Sequence, residues 1–374
     1  MTGVVDISDI PDSVEKACYV STHHMDIAGV LSVAVDVPLT VATVAQALKL
    51  PGLSFATAQL GANKWWQKTR LQAAGIPVPW FTPVETLTQL RDVVQTCGNG
   101  LVLKPVDSRG SRGVIRLLPA VDLAWAWQQA RAETRHPLLL VEQWESGPQI
   151  STESVILAGQ CYTPGFIDRN YSFLDRYAPY VLEDGATYPS LLSPSQQEDV
   201  YQLLAQTAQA LGMQYGTLKG DVVWTPTGPK IIEVAPRLSG GWFCTQLIPW
   251  ATGVDLVAIA LKLATGQPVT PEECRPQFQR GCAIRYLWPD PGVVTATSDA
   301  AVHQLPQDWE GACHIFVRVG SCVASPTRHS QRAGCAVMLG ETREEAVARA
   351  RAVVAAMLIT TTPAEEHASW PGTT

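Results

Sequence analysis

A chain of 374 residues, 46% hydrophobic and 16% charged, has enough apolar mass for a large core and for two or three domains. Its net charge of −7, with no basic stripe interleaved with aromatics, excludes a nucleic-acid partner bound through phosphate neutralisation. Nine scattered cysteines, at neither CxxC nor Cys/His zinc spacing, read as reduced and mostly buried thiols of a cytoplasmic protein.

The first thirty residues carry Asp6, Asp9, Asp12 and Glu15, which no secretory signal would hold, and no apolar run reaches transmembrane length. GVLSVAV (29–35) reads as an apolar strand, and TVATVAQALKLPG (40–52) as a helix stopped by Pro51 and Gly52. Together they make one strand–helix unit of an α/β fold, with VVDISD (4–9) as the end of a preceding unit. A complete doubly wound domain needs about two more strands. The first segment is therefore expected to be short or truncated.

TAQLGANKWWQKTRLQAAG (57–75) reads as a helix ending at Gly75, after which PVP (77–79) forces extended chain. LVLKP (101–105) and VIRLL (114–118) are strands around a glycine loop, DLAWAWQQARAE (122–133) is helical, and LLLVEQW (138–144) is a strand. ISTESVILAGQCYTPGF (150–166) reads as a hairpin, followed by an irregular polar segment, 168–184, and a helix at 195–212. YGTLKGDVVWTPTGPKIIEVAPR (215–237) is a second hairpin, turning at Thr-Pro-Thr-Gly-Pro. A helix at 254–265, strands near 280–288, 312–319 and 335–339, a helix at 343–358 and a loose tail from Thr360 complete the chain.

Three stretches carry chemistry. In the second hairpin, a turn centred at Thr227 places Asp221 directly opposite Glu233, and opposed side chains share a face. Alternation adds Lys219, Ala235 and Arg237 to that face. Two carboxylates in contact raise each other's pKa unless a cation lies between them. The pair is a candidate Mg²⁺ site, because that ion takes carboxylate oxygens and keeps phosphates or waters as further ligands. Mn²⁺ could replace it. Arg237 sits too far along the strand to neutralise both acids and is better placed to grip an anion approaching the metal. An exposed hairpin balanced by Lys219 and Arg237 would use the same residues. Ile231, Ile232 and Val234 argue instead for a strand covered on both faces.

KPVDSRGSRGV (104–114) sets a lysine before a glycine loop whose N–H groups can cover phosphates, although a bland surface hairpin has similar composition. It lacks the Gly-Lys-Ser/Thr of a Walker A loop. In LLLVEQWESGPQISTES (138–154), a strand ending in acids and a Gly-Pro bend could present backbone groups to an adenine edge. Glu145 or Gln149 could then reach a ribose hydroxyl, while Glu142 serves equally well as a solvated strand end.

The order of these elements is the specific signal. Asn63-Lys64 on a helix followed by PVP, Lys104-Pro105 with a glycine loop, Val-Glu-Gln-Trp (141–144), and Asp221 twelve residues before Glu-x-x-x-Arg together resemble the ATP-grasp superfamily. The resemblance runs from about Gly29 to the last helix and looks most like the carboxylate–amine ligases, which include the L-amino acid (dipeptide) ligases.

That resemblance implies an α/β (α+β) ATP-grasp fold. Residues 1–56 would form a partial pre-grasp α/β domain, 57–270 the core, 271–360 a part completing the grasp, and 361–374 a loose tail. Within the core, 57–145 would include the lid subdomain and 146–270 the larger catalytic one. Lys64 and Lys104 would contact ATP phosphates, under a lid loop containing Ser108, Gly110, Ser111 and Gly113. Glu142, Gln143, Trp144, Glu145 and Gln149 would hold adenine and ribose. Asp221 and Glu233 would ligate Mg²⁺. Arg237 would act with Lys104 in catalysis and stabilise an acyl phosphate. Glu153, Arg169, Arg237, Ser239, Gly240 and Gly241 would meet the substrates.

The partners implied are a small carboxylate and an amine, with no nucleic acid and no membrane; a homodimer is compatible with this. Two departures stand out. Ala235 replaces the asparagine that commonly completes the metal shell, a change shared with dipeptide ligases, and the first domain is short. A bicarbonate-activating carboxylase and a non-catalytic ATP-binding protein remain as alternatives.

Overall fold

A computed structural model describes residues 6–23 and 25–363. Val4 and Val5 of the VVDISD stretch, and residues 364–374 of the expected tail, lie outside them. The chain begins with α1 (Ile10–His23), α2 (Pro38–Ala47) and α3 (Phe55–Ala62). The strand expected over 29–35 does not form. The segment makes one parallel bridge, Val33 to Leu238, supported by the Ala34 N–H donating to the Leu238 carbonyl at 3.2 Å. Its neighbour lies beyond a strand end, and the intervening Pro236 has no N–H to offer a ladder.

The single helix expected over 57–75 is two, α3 and α4 (Lys64–Ala73), broken at Asn63. Asn63 is extended (φ −140°, ψ 114°), and its side chain caps α4 by accepting the Trp66 N–H at 3.1 Å. The break sets Lys64 at the start of a helix, where the backbone already presents positive charge.

Next comes a small antiparallel sheet. Its parts in chain order are β1 (Phe81–Val84), α5 (Leu87–Cys97), β2 (Leu101–Pro105), β3 (Ile115–Leu117), α6 (Leu123–Ala132) and β4 (Leu139–Gln143). The strands lie in the order β1-β4-β2-β3. Period-two alternation divides the sheet. Leu101, Leu103, Ile115, Leu139 and Val141 pack with Leu90, Ala126 and Ala130 of the helices. The other face carries Val102 opposite Glu142 and Lys104 opposite Leu140.

The larger sheet collects strands from about half of the chain, residues 149–340. In order come β5 (Gln149–Leu157), β6 (Gln160–Asn170), β7 (Gly185–Tyr188), α7 (Pro194–Ala210), β8 (Tyr215–Thr225), β9 (Gly228–Ala235), α8 (Ile248–Thr252) and α9 (Leu256–Ala264). The chain ends with β10 (Gly281–Leu287), β11 (Gly292–Ser298), β12 (Gly311–Ile315), β13 (Cys322–Val323), β14 (Gly334–Gly340), α10 (Arg343–Ala356) and β15 (Leu358–Thr362). Eight strands run β12-β14-β10-β7-β6-β5-β8-β9, so segments 146–270 and 271–360 share one sheet. β13, β11 and β15 form a third sheet, which places Thr360–Thr362 of the expected loose tail in an ordered ladder with β11.

One face of the large sheet is covered by α7 through Ile150, Ile156, Leu218, Val222 and Val234, and by α10 through Ala283, Ala336 and Met338. On the opposite face, Val155, Ile167, Ile284 and Val337 pack under residues 243–260. No single helix among the described residues is long and apolar enough to cross a membrane.

The β8–β9 register contains a correction. The turn pairs Thr225 with Gly228, so its centre lies between Pro226 and Thr227, half a residue before the expected one. Unmodified, that register would set Asp221 against Ile232 and turn Glu233 to the other face. A β-bulge at Ile232 inserts the missing residue, and Asp221 does stand opposite Glu233.

Candidate active site

A cavity of about 700 Å³ opens between the polar face of the small sheet and the front face of the large one. Lys64, Lys104, Ser108, Gly110 and Ser111 border it, as do Glu142, Gln143, Trp144, Glu145 and Gln149. So do Arg169, Asp221, Glu233, Arg237, Ser239, Gly240 and Gly241. Of the residues expected at the site, Gly113 and Glu153 stand back from it.

On the large sheet, Asp221 accepts a hydrogen bond from Ser151 Oγ at 3.1 Å, faces Arg169 Nη1 at 3.3 Å and pairs with Lys219. Burial alone would raise its pKa, but Arg169 and Lys219 overcome that and bring it down to about 2. Glu233 pairs with Lys64 Nζ at 3.0 Å, and the same ammonium donates to the Ser108 carbonyl. Lys64 thus ties the acid pair to the glycine loop.

No group of three or more His, Cys, Asp or Glu suited to a metal occurs among the described residues. Two carboxylates brought together on adjacent strands nevertheless fit Mg²⁺, which commonly takes one or two protein carboxylates and completes its shell with phosphate and water.

On the small sheet, Glu142 is 1% exposed and holds Lys104 Nζ at 2.7 Å and Lys68 Nζ at 3.2 Å. Burial lowers the Lys68 pKa to about 8 despite the opposing pull of Glu142. The Glu142 carboxylate, expected at adenine and ribose, is instead the counter-ion that fixes two lysines. The Gln143 N–H donates to the Trp80 carbonyl at 2.8 Å and the Trp144 N–H to the Gly100 carbonyl at 2.7 Å. Those expected adenine donors are engaged within the fold. Arg116 stacks on the Trp144 ring at 4.6 Å, and Glu145 binds Lys230 at 2.6 Å.

The glycine loop folds as a strained cover. Gly110, Ser111 and Gly113 all have positive φ (63°, 61° and 69°), and a side chain at Gly113 would bring its Cβ to 2.9 Å from Pro105. The loop touches the C-terminal region, where the His329 N–H donates to the Gly110 carbonyl at 3.1 Å and His329 Nε2 lies 3.3 Å from Ser111 Oγ.

Two further expectations need correction. Glu153 does not reach the cavity; it is fully buried and accepts the Ser239 N–H at 3.0 Å, bracing the Ser239–Gly241 turn from beneath. Burial pushes its pKa up to about 7, with Ser239 and Arg237 opposing. Arg237 is gripped by Asp36, at 3.1 Å from Nε to Oδ1 and 2.7 Å from Nη2 to Oδ2. This bidentate pair engages the fork expected to hold an anion. Asp36 follows the VAV of the opening segment and gave no sequence signal beyond its charge.

Arg109 and Arg112 of the expected lid loop, and Tyr171 and Glu183 of the polar segment 168–184, also border the cavity though none was singled out, while Tyr286, His329 and Arg332 from the C-terminal third were unforeseen. Of these, only an arginine or histidine a few residues before β14 could have prompted attention, and neither has a motif around it.

Two facing sheets, a phosphate-type loop with lysines on one wall and an acid pair on the other define an ATP-grasp protein. The ATP-grasp domain matches residues 61–241, and L-amino acid ligase C-terminal domain 2 matches residues 285–362. The chain thus combines an ATP-grasp domain with an L-amino acid ligase C-terminal domain 2.

It is 31% identical over 252 residues to the uncharacterized protein y4rH of Sinorhizobium fredii, covering 65% of this chain and 50% of that one. It is 26% identical to a D-alanine–D-alanine ligase of Ectopseudomonas mendocina, covering 57% of this chain and 64% of the relative. The match therefore takes in between half and two-thirds of these relatives' length. In fold, it superposes on an L-amino acid ligase from Bacillus licheniformis with a TM-score of 0.77 and 20% identity, over 95% of this chain and 85% of that one.

Proposed function

We propose that this protein is an ATP- and Mg²⁺-dependent ligase that joins the carboxylate of an amino acid to an amine and releases ADP and phosphate. The observation that carries this reading is the cross-strand pair Asp221–Glu233, linked through Lys64 to the glycine loop. The names of relatives and of a structural neighbour, D-alanine–D-alanine ligase and L-amino acid ligase, support the same class of reaction.

In the first step a carboxylate oxygen bonds to the γ-phosphorus, the bond to the bridging oxygen breaks, and ADP leaves. In the second, the amine nitrogen attacks the acyl carbon, the carbon–oxygen bond to phosphate breaks, and the nitrogen proton goes to the departing phosphate. Such chemistry depends on position and charge stabilisation more than on a protein nucleophile.

Lys104, held by Glu142, and Lys64, at the start of α4, would neutralise the phosphates. The loop from Ser108 to Gly113 would keep water from the acyl phosphate. Asp221 and Glu233 would hold magnesium, which when bound supplies charge neutralisation between phosphate oxygens. Arg237 is held through all three guanidinium nitrogens by Asp36 and the Leu238 carbonyl, so only the second N–H of each terminal nitrogen is left to meet the acyl phosphate. Its nine free cysteines and its need for ATP suit a cytoplasmic location.

The test is ADP formation from ATP and Mg²⁺ across a panel of single and paired L-amino acids, with the product identified by mass. ADP together with a dipeptide is expected. AMP, ADP that depends on bicarbonate alone, or no nucleotide cleavage with any pair overturns the reading.

A further inference from the structure

Five arginines border the cavity among the described residues, and four have firm partners. Arg169 binds Glu183 and Asp221, and Arg237 binds Asp36. Arg109 donates to the Asp36 carbonyl, and Arg112 donates to the Arg109 carbonyl. Arg332, just before β14, differs. Its side chain is 13% exposed and its Nη2 meets the Glu183 carbonyl and Oε1 at 3.2 and 3.4 Å, but it is the one of the five with a buried nitrogen, Nε, that has no partner. A buried, charged donor left unpaired is costly and calls for an explanation.

Its position is nonetheless fixed. The guanidinium lies 3.5 Å from the centroid of the Tyr286 ring, and the Tyr286 hydroxyl donates to the Gly241 carbonyl at 3.2 Å. A Cβ at Gly241 (φ 65°) would come within 2.9 Å of that hydroxyl and 3.7 Å of Arg332 Nη1, so only glycine lets the turn approach this closely. In the same turn, the Ser239 hydroxyl is also buried without a partner.

The carboxylate to be phosphorylated must lie beside Asp221 and Glu233. Arg332 is set off from those acids by a chain of ion pairs, Asp221 to Arg169 (3.3 Å), Arg169 to Glu183 (2.6 Å) and Glu183 to Arg332 (3.4 Å). An anion meeting Arg332 is therefore a second one. Arg332 borders the cavity, and a planar guanidinium whose Nε–H has no partner within the protein matches a carboxylate.

We propose that Arg332 receives the carboxylate of the amine-donating substrate and so selects an amino acid over a simple amine as acceptor. This rests on the ligase reading above. It makes the C-terminal domain the source of acceptor specificity, while the ATP-grasp core supplies the activation chemistry.

The test compares L-alanine, L-alaninamide and ethylamine as acceptors for each L-amino acid donor that supports ADP formation, with products identified by mass. Wild type is expected to prefer alanine to alaninamide. Arg332→Met should raise KM for alanine on the order of 10- to 100-fold, leave KM for ATP unchanged and remove the preference. Arg332→Lys should restore part of it, and the unchanged KM for ATP shows that the variants are folded.

An acid-to-amide ratio that is the same in wild type and Arg332→Met overturns the role of Arg332. So does equal use of acid and amide by the wild type, or a change confined to the choice of donor. If no acceptor elicits ADP, the ligase reading itself is lost, which is a different outcome from ADP formation with an unaltered ratio.

Discussion

The two walls of the cavity use carboxylates in opposite ways. On the small sheet, Glu142 is buried between Lys68 and Lys104, all three at most 7% exposed by side chain, and its one carboxylate is shared by the two ammonium groups. On the large sheet, the Glu233 side chain is 30% exposed and faces a lysine that also reaches the glycine loop. A buried cluster is rigid because breaking it leaves an uncompensated charge in low dielectric. In the second pair Glu233 keeps contact with solvent, which screens part of its charge on rearrangement, although Lys64 is only 10% exposed by side chain. The first wall can position a lysine, and the second can exchange its cation for a metal ion.

The sharpest way to break this contrast is Glu142→Gln, which strands Lys68 and Lys104 together without a counter-charge. A stability loss of about 3–5 kcal/mol in urea unfolding is expected. A loss under 1 kcal/mol would show that the two walls are alike.

Glu233→Gln should do the reverse. Turnover is expected to fall about 10²- to 10³-fold, while stability stays within about 1 kcal/mol of wild type. Full turnover in this variant would remove Glu233 from the metal site.

The third test concerns Glu153, which lies beneath the Ser239–Gly241 turn at the cavity's edge. Its folded pKa is about 7 against an ordinary value of 4.5, so the folded state binds more protons between those values. The stability this group contributes is complete below about pH 4.5 and is lost as pH rises through 7. The wild type should lose on the order of 2–3 kcal/mol between pH 4.5 and 8 from this source. Glu153→Gln should flatten that part of the profile, as read from urea midpoints across the range. Asp221, lowered to about 2, acts in a separate window below its ordinary value of 3.8. An unchanged slope in Glu153→Gln would place the buried proton elsewhere.

Much of the architecture could be read from the chain. Short apolar runs located β2 and β4, the two hairpins located β5, β6, β8 and β9, and the final helix was plain from the sequence. Short strands were missed: β7 (GATY), with no long apolar run, and β13, only two residues long. Their ladders depend on neighbours far along the chain, which local pattern does not contain. The apolar run at 29–35 erred the other way, being strand-like in composition but lacking a neighbour to pair with.

For the site, local sequence determined which residues share a strand face and which loop can adopt positive φ, because alternation and glycine are local properties. Alternation therefore set Asp221 and Glu233 on one face, and the resemblance to the ATP-grasp superfamily added Lys64 and Lys104 to the same site. Only the tertiary structure decided which cation meets which acid. The Asp36–Arg237 pair spans 201 positions, and Arg332 meets Glu183 across 149. Electrostatic pairing depends on distance in space and on burial, and neither is encoded within a window of the chain.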